Sequence, residues 1–120
     1  MGSEQTVDPV ASIDEDGLAD ARSGLIEMAE MFKYFAKVNI KPPKKAAGFA
    51  EHDVLYPIAG VLLPKGKIVH FGGEYQASGE PKLLGYENGA GESGGWILLT
   101  NGEVKQVNAE EFAVLSGGSK

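Results

Sequence analysis

The sequence predicts an α+β fold: one long N-terminal helix packed on a mainly antiparallel β-sheet built from hairpins, with a short C-terminal helix. Three observations carry this. Apolar residues recur at alternating steps of three and four early in the chain, from Leu18 to Phe35. Beyond Pro43 they fall instead into short runs bounded by Gly, Pro and Asn. Near the C-terminus, Asn108 and Glu111 have the spacing of a helix-starting capping box.

Taken in order, residues 1–13 are polar, acidic and interrupted by Pro9, which reads as a flexible arm ahead of a single domain over 14–115 and a tail over 116–120. Ser12 and Glu15 form a first capping box, and Asp14, Glu15 and Asp16 sit where a helix dipole favours negative charge. The stripe Leu18, Ala21, Leu25, Met28, Phe32 and Phe35 then predicts a helix from about Asp14 to Val38. Gly24 interrupts it at a cost of about 1 kcal/mol relative to Ala. Lys33 and Lys37 complement the C-terminal end, and Pro42-Pro43 prevents continuation.

Five runs read as strands: Val54-Leu55-Tyr56, Val61-Leu62-Leu63, Ile68-Val69-His70-Phe71, Lys82-Leu83-Leu84 and Trp96-Ile97-Leu98-Leu99. Val61 to Ile68 and Ile97 to Val104 share a pattern, an apolar triplet, a Gly-containing turn and a β-branched residue. Asn101-Gly102 is a strong hairpin signal because both residues tolerate positive φ; Pro64-Lys65-Gly66 fits a type I turn closed by a left-handed Gly. A short helix over Glu110–Leu115 closes the domain.

Composition narrows the chemistry. The 120-residue chain has no Cys, which excludes disulfides, thiolate metal sites and cysteine nucleophiles. It carries a net charge of −6, and all of that excess lies in residues 1–20, which hold six acids and no base. The remainder is neutral, so broad binding to a phosphate backbone is not expected. No apolar run has the length of a membrane span, and the first residues lack a signal peptide's basic and apolar regions. The expected setting is cytoplasmic, with neither nucleic acid nor membrane as partner and no cofactor.

Several motifs are weighed and set aside. Gly89-Ala90-Gly91-Glu92-Ser93-Gly94 matches G-x-G-x-x-G, yet a strand follows where a dinucleotide site needs a helix, and Glu87 and Glu92 would repel phosphate. It reads as a loop between strands. His52 and His70, with a nearby carboxylate, are acceptable metal-ligand types but stand in no ligand-spacing motif. Ser78 has no base placed by any pattern, and Glu74 with Glu87 or Glu92 makes a catalytic pair only at a separation the sequence does not reveal. Lys33, Lys37, Lys41, Lys44 and Lys45 form the one basic concentration, explained first by a helix end and a solvated loop.

What remains points to contacts with other proteins. Ile97-Leu98-Leu99 is apolar on both sheet faces, while one long helix covers one face, so a second subunit or partner is expected to cover the other. The leading expectation is a non-catalytic interaction module, an accessory, adaptor, inhibitor or immunity-type protein and a possible homodimer. Asp14, Glu15 and Asp16 would steer the partner, and Tyr75, Tyr86 and Trp96 would form an aromatic sheet surface. The alternative is a small-ligand or metal-binding domain, perhaps a small enzyme, with a pocket between helix and sheet lined by His52, His70, Tyr75 and residues 85–95.

Overall fold

The computed structural model describes residues 20–117. Its first element is α1, Ala21–Val38, whose start is set by Asp20: this residue is extended, and its carboxylate accepts the Ser23 N–H at 2.9 Å. The expected start at Asp14 is therefore corrected to Ala21; the Ser12–Glu15 box and the acidic arm lie outside the described residues. Asn39 ends the helix in the left-handed conformation, with φ 62°, and Ile40 N–H donates back to Phe35 O at 2.8 Å. The stop thus comes before Pro42-Pro43, through an Asn cap.

A 3₁₀ helix, Ala46–His52, and a second α-helix, α2 (Ala59–Lys65), follow. Here two sequence expectations fail. Val61-Leu62-Leu63 lies in α2 and is not a strand, and Val54-Leu55-Tyr56 is a turn. Pro64 and Gly66 make a helix end in place of a hairpin. Gly66 is left-handed, and Lys67 N–H closes onto Leu62 O at 3.0 Å, so the need for positive φ was legible but its use was not.

The sheet has four antiparallel strands in chain order: β1 (Ile68–His70), β2 (Leu83–Glu87), β3 (Gly95–Leu99) and β4 (Val104–Val107). The β3–β4 hairpin turns at Asn101-Gly102 as expected, but only Gly102 has positive φ. Gly102 N–H donates to Leu99 O, and Leu99 N–H to Glu103 O, giving a type I turn with a glycine bulge. A register shift between Leu83 and Gly85 lets Leu84 and Gly85 both face α1, where Gly85 leaves room for Met28.

Two apolar layers sandwich this sheet. Leu25, Met28, Phe32 and Phe35 of α1, together with Phe49, Leu62 and Leu63, pack on Ile68, Leu84 and Leu98. The opposite face, Leu83, Ile97, Leu99 and Val107, is covered by Phe112 and Leu115 of α4 (Ala109–Leu115), which begins at the expected Asn108–Glu111 capping box. The expected cover by a second subunit or partner is corrected here: the chain's own α4 lies over this face. The Gly89–Gly94 motif contributes to the same layer. It folds as one helical turn, α3 (Ala90–Ser93), with left-handed Gly89 before it and Gly94 after it, and Gly91 lies under the Phe112 ring.

Candidate functional site

The sequence-predicted site residues do not converge. Asp14, Glu15 and Asp16 lie outside the described residues. Tyr75 and Trp96 are half-buried against the α1-side core, Tyr75 beneath Lys33 Nζ at 5.9 Å and Trp96 beneath the Arg22 guanidinium at 5.5 Å. Tyr86 is on the other side of the sheet, stacked edge-on with Phe112 at 4.9 Å. The expected single aromatic surface is therefore divided between two faces.

His52 and His70 are held apart by phenylalanines. His52 rests against Phe35 at 5.0 Å, His70 against Phe32 at 4.9 Å, and those two Phe rings are 5.5 Å from each other. The His70 ring N–H at Nε2 donates to Gly73 O at 3.0 Å, and burial pushes its pKa below the usual histidine value. Among the described residues no three His, Asp or Glu side chains gather into a metal-binding group. A cavity of about 240 Å³ beside His70 is lined by Lys44, Phe49, Leu63 and Ile68, small against the ~300–1,000 Å³ of typical ligand sites. The lysine run is also dispersed: Lys33 faces Glu30 at 3.6 Å, and Lys41 pairs with Glu74 at 3.0 Å.

A surface that sequence reasoning missed stands out by exposure. Val54 is 87% and Leu55 68% exposed, at the apex of the turn that follows the 3₁₀ helix. A folded chain leaves single apolar side chains outside often, but two adjacent aliphatics projecting this far are a different matter. Backbone hydrogen bonds flank the turn. Asp53 N–H donates to Ala50 O at 3.2 Å, Tyr56 N–H to His52 O at 2.9 Å, and Gly60 N–H to Tyr56 O at 2.7 Å. Asp53 also sits so close over Gly60 that a Cβ there would be 2.6 Å from the Asp53 Cα. The knuckle is an apolar projection between hydrogen-bonded flanks.

Tyr56 anchors it, packing on the main core beside α1. Its phenol pKa is raised, first by burial and then by the negative fields of Tyr34, Glu30 and Glu27, residues spaced along one face of α1. Tyr34 and Val38, one turn apart on that face, are themselves 39% and 42% exposed. Tyr56 and the start of α2 lie against α1, where Glu27 accepts the Ile58 and Ala59 N–H groups, and Val54 and Leu55 precede Tyr56 in the chain. The signal in the sequence is the apolar triplet Val54-Leu55-Tyr56, which as a short apolar run predicts a strand.

Two grooves lie elsewhere. One, of about 550 Å³, runs between the 71–82 connection and α4 over Phe71, Leu83, Val114 and Leu115, with Glu80 and Lys82 at its border. The other, of about 580 Å³, is polar and lined by Glu87, Ser93, Trp96, Gln106 and Glu111. The Glu87 carboxylate there accepts the Trp96 N–H at 3.0 Å, and Glu111 accepts the Asn108 N–H at 2.9 Å, so one oxygen of each serves the fold. Among the described residues no helix is long and apolar enough to cross a membrane. Comparisons with protein-family models, curated proteins and solved structures find no match to this chain.

Proposed function

We propose that this chain is a non-catalytic protein-interaction module whose docking surface is the Val54–Leu55 knuckle and the adjoining Tyr34–Val38 face of α1. The observation that carries this reading is the exposure of two adjacent aliphatic side chains on a turn held by backbone hydrogen bonds. Backbone held by hydrogen bonds on both flanks has less conformational freedom to lose when the apolar pair is covered, and that favours its use as an anchor.

The test is native mass spectrometry of the full chain purified gently from its own source, beside the Val54→Ser/Leu55→Ser double variant. The parent chain is expected to carry a stoichiometric second polypeptide, or a second copy of itself, and the variant to lose it. A bare monomer from the parent chain, or a partner retained by the variant, overturns the reading.

A second reading rests on the 550 Å³ groove beside α4, whose volume lies in the range of small-ligand sites and whose floor is apolar. It calls for a monomer bearing a small stoichiometric adduct that Val114→Asp removes.

A further inference from the structure

We infer that the partner of the Val54–Leu55 knuckle presents a cationic, aliphatic segment: apolar side chains flanked by Lys or Arg. This rests on the docking reading above and adds the chemistry of the occupant. The aliphatic pair is preceded by Glu51 and Asp53, both exposed, and neither carboxylate has a partner among the described residues. Across the surface, the helix face beside Tyr56 carries Glu27 and Glu30, and both raise the Tyr56 pKa along with Tyr34. Glu27 is engaged by the start of α2, and Glu30 is paired with the exposed Lys33 at 3.6 Å. Lys37 is the one base on the adjoining turn of α1.

The knuckle is therefore an apolar pair with an acidic border on its N-terminal side, made by Glu51 and Asp53. Complementary charge at the border steers encounter and rejects wrong partners, while the desolvated centre supplies the affinity. An acidic border repels a phosphate backbone and an anionic bilayer alike, so the same geometry that selects a basic protein segment disfavours nucleic acid and lipid. Of the lysines nearest in sequence, Lys45 is exposed at the N-cap of the 3₁₀ helix, the end opposite Asp53. Lys41 pairs with Glu74, and Lys44 lies over the β1 side of the domain beside Leu63 and Ile68.

The experiment is an amide-resolved NMR titration of the full chain with three probes. They are a synthetic amphipathic Leu/Lys peptide, its Leu/Glu counterpart, and phosphatidylcholine vesicles containing phosphatidylserine. The Leu/Lys peptide is expected to shift the amides of Tyr34, Val38 and residues 53–56, and to bind about tenfold more weakly when Glu51→Lys and Asp53→Lys are combined. Equal or stronger binding of the Leu/Glu peptide or the vesicles overturns the inference, as does a Leu/Lys response confined to another face. The Val54→Ser/Leu55→Ser variant separates the two claims. If it abolishes binding while the charge reversals change nothing, the docking surface stands and the cationic partner does not. If it leaves all binding intact, the docking surface itself fails. Both altered side chains are exposed in the parent, so the variant is expected to keep its fold, with circular dichroism as the check.

Discussion

Glu27 caps a helix that begins far away in the chain. Its Oε1 accepts the backbone N–H of Ile58 at 2.6 Å and of Ala59 at 2.7 Å, joining α1 to the start of α2. Ile58, at the N-cap position, has no side-chain cap of its own, so a carboxylate from another helix satisfies donors that would otherwise be left free. Replacing Glu27 by Ala is expected to cost about 1–2 kcal/mol, the range for losing a charged N-cap. Urea unfolding reads this directly. A variant as stable as the parent would show that water replaces the carboxylate without loss.

Two glycines close to each other in sequence should respond differently to Ala. At Gly60 a Cβ would meet the backbone of Asp53 at 2.6 Å, and backbone cannot move aside as a side-chain tip can. Gly60→Ala is expected to cost about 1–3 kcal/mol and to shift the amides of residues 53–56. At Gly66 there is open space but φ is +78°, so Gly66→Ala is expected to cost about 1–2 kcal/mol from backbone strain alone, leaving the knuckle unmoved. Unfolding curves paired with amide spectra distinguish the two mechanisms.

His70 should make stability depend on pH. Burial lowers its folded-state pKa below 6.5, so the unfolded chain binds the proton more readily than the folded one. The stabilisation is complete above pH 6.5 and is progressively lost as pH falls from there toward the lowered folded value. His70→Gln should flatten the urea midpoint between pH 7.5 and pH 5 relative to the parent. A parent midpoint that rises on acidification through this window would contradict the assignment.

The α4 layer should be the cover that keeps the second sheet face from association. Phe112 is partly buried against Tyr86 and the Leu83, Ile97, Leu99 and Val107 cluster. Phe112→Ala is expected to cost about 1–3 kcal/mol, less than a fully buried Phe because the ring is only half covered. It should also raise binding of a hydrophobic dye and the apparent mass in solution. An unchanged mass with unchanged dye binding would mean that the sheet face stays protected without the ring.

Where a structural cue is local, the sequence carried it. The amphipathic stripe from Leu25 to Phe35, the Asn108–Glu111 box and the Asn101-Gly102 hairpin all depend on contacts within a few residues. Gly24 was visible as a cost to α1; its reason was not. A Cβ there would be 2.6 Å from Leu62 Cδ1, so the glycine leaves room for a side-chain tip of α2. The candidate surface was legible only as an apolar triplet, because exposure is a property of the assembled chain.

Periodicity, caps and turn residues determined the class of this fold, its first helix, its last helix and three of its strand runs. Only tertiary structure decided that Val61-Leu62-Leu63 would be helical, that the chain would cover its own second sheet face, and that Val54 and Leu55 would project into solvent. The physical reason is the range of the interactions. A run of three apolar residues buries equally well as helix or strand. Here the helical form is met by a carboxylate 31 residues away, at Glu27, which accepts the Ile58 N–H, and by Leu62 packing over Gly24.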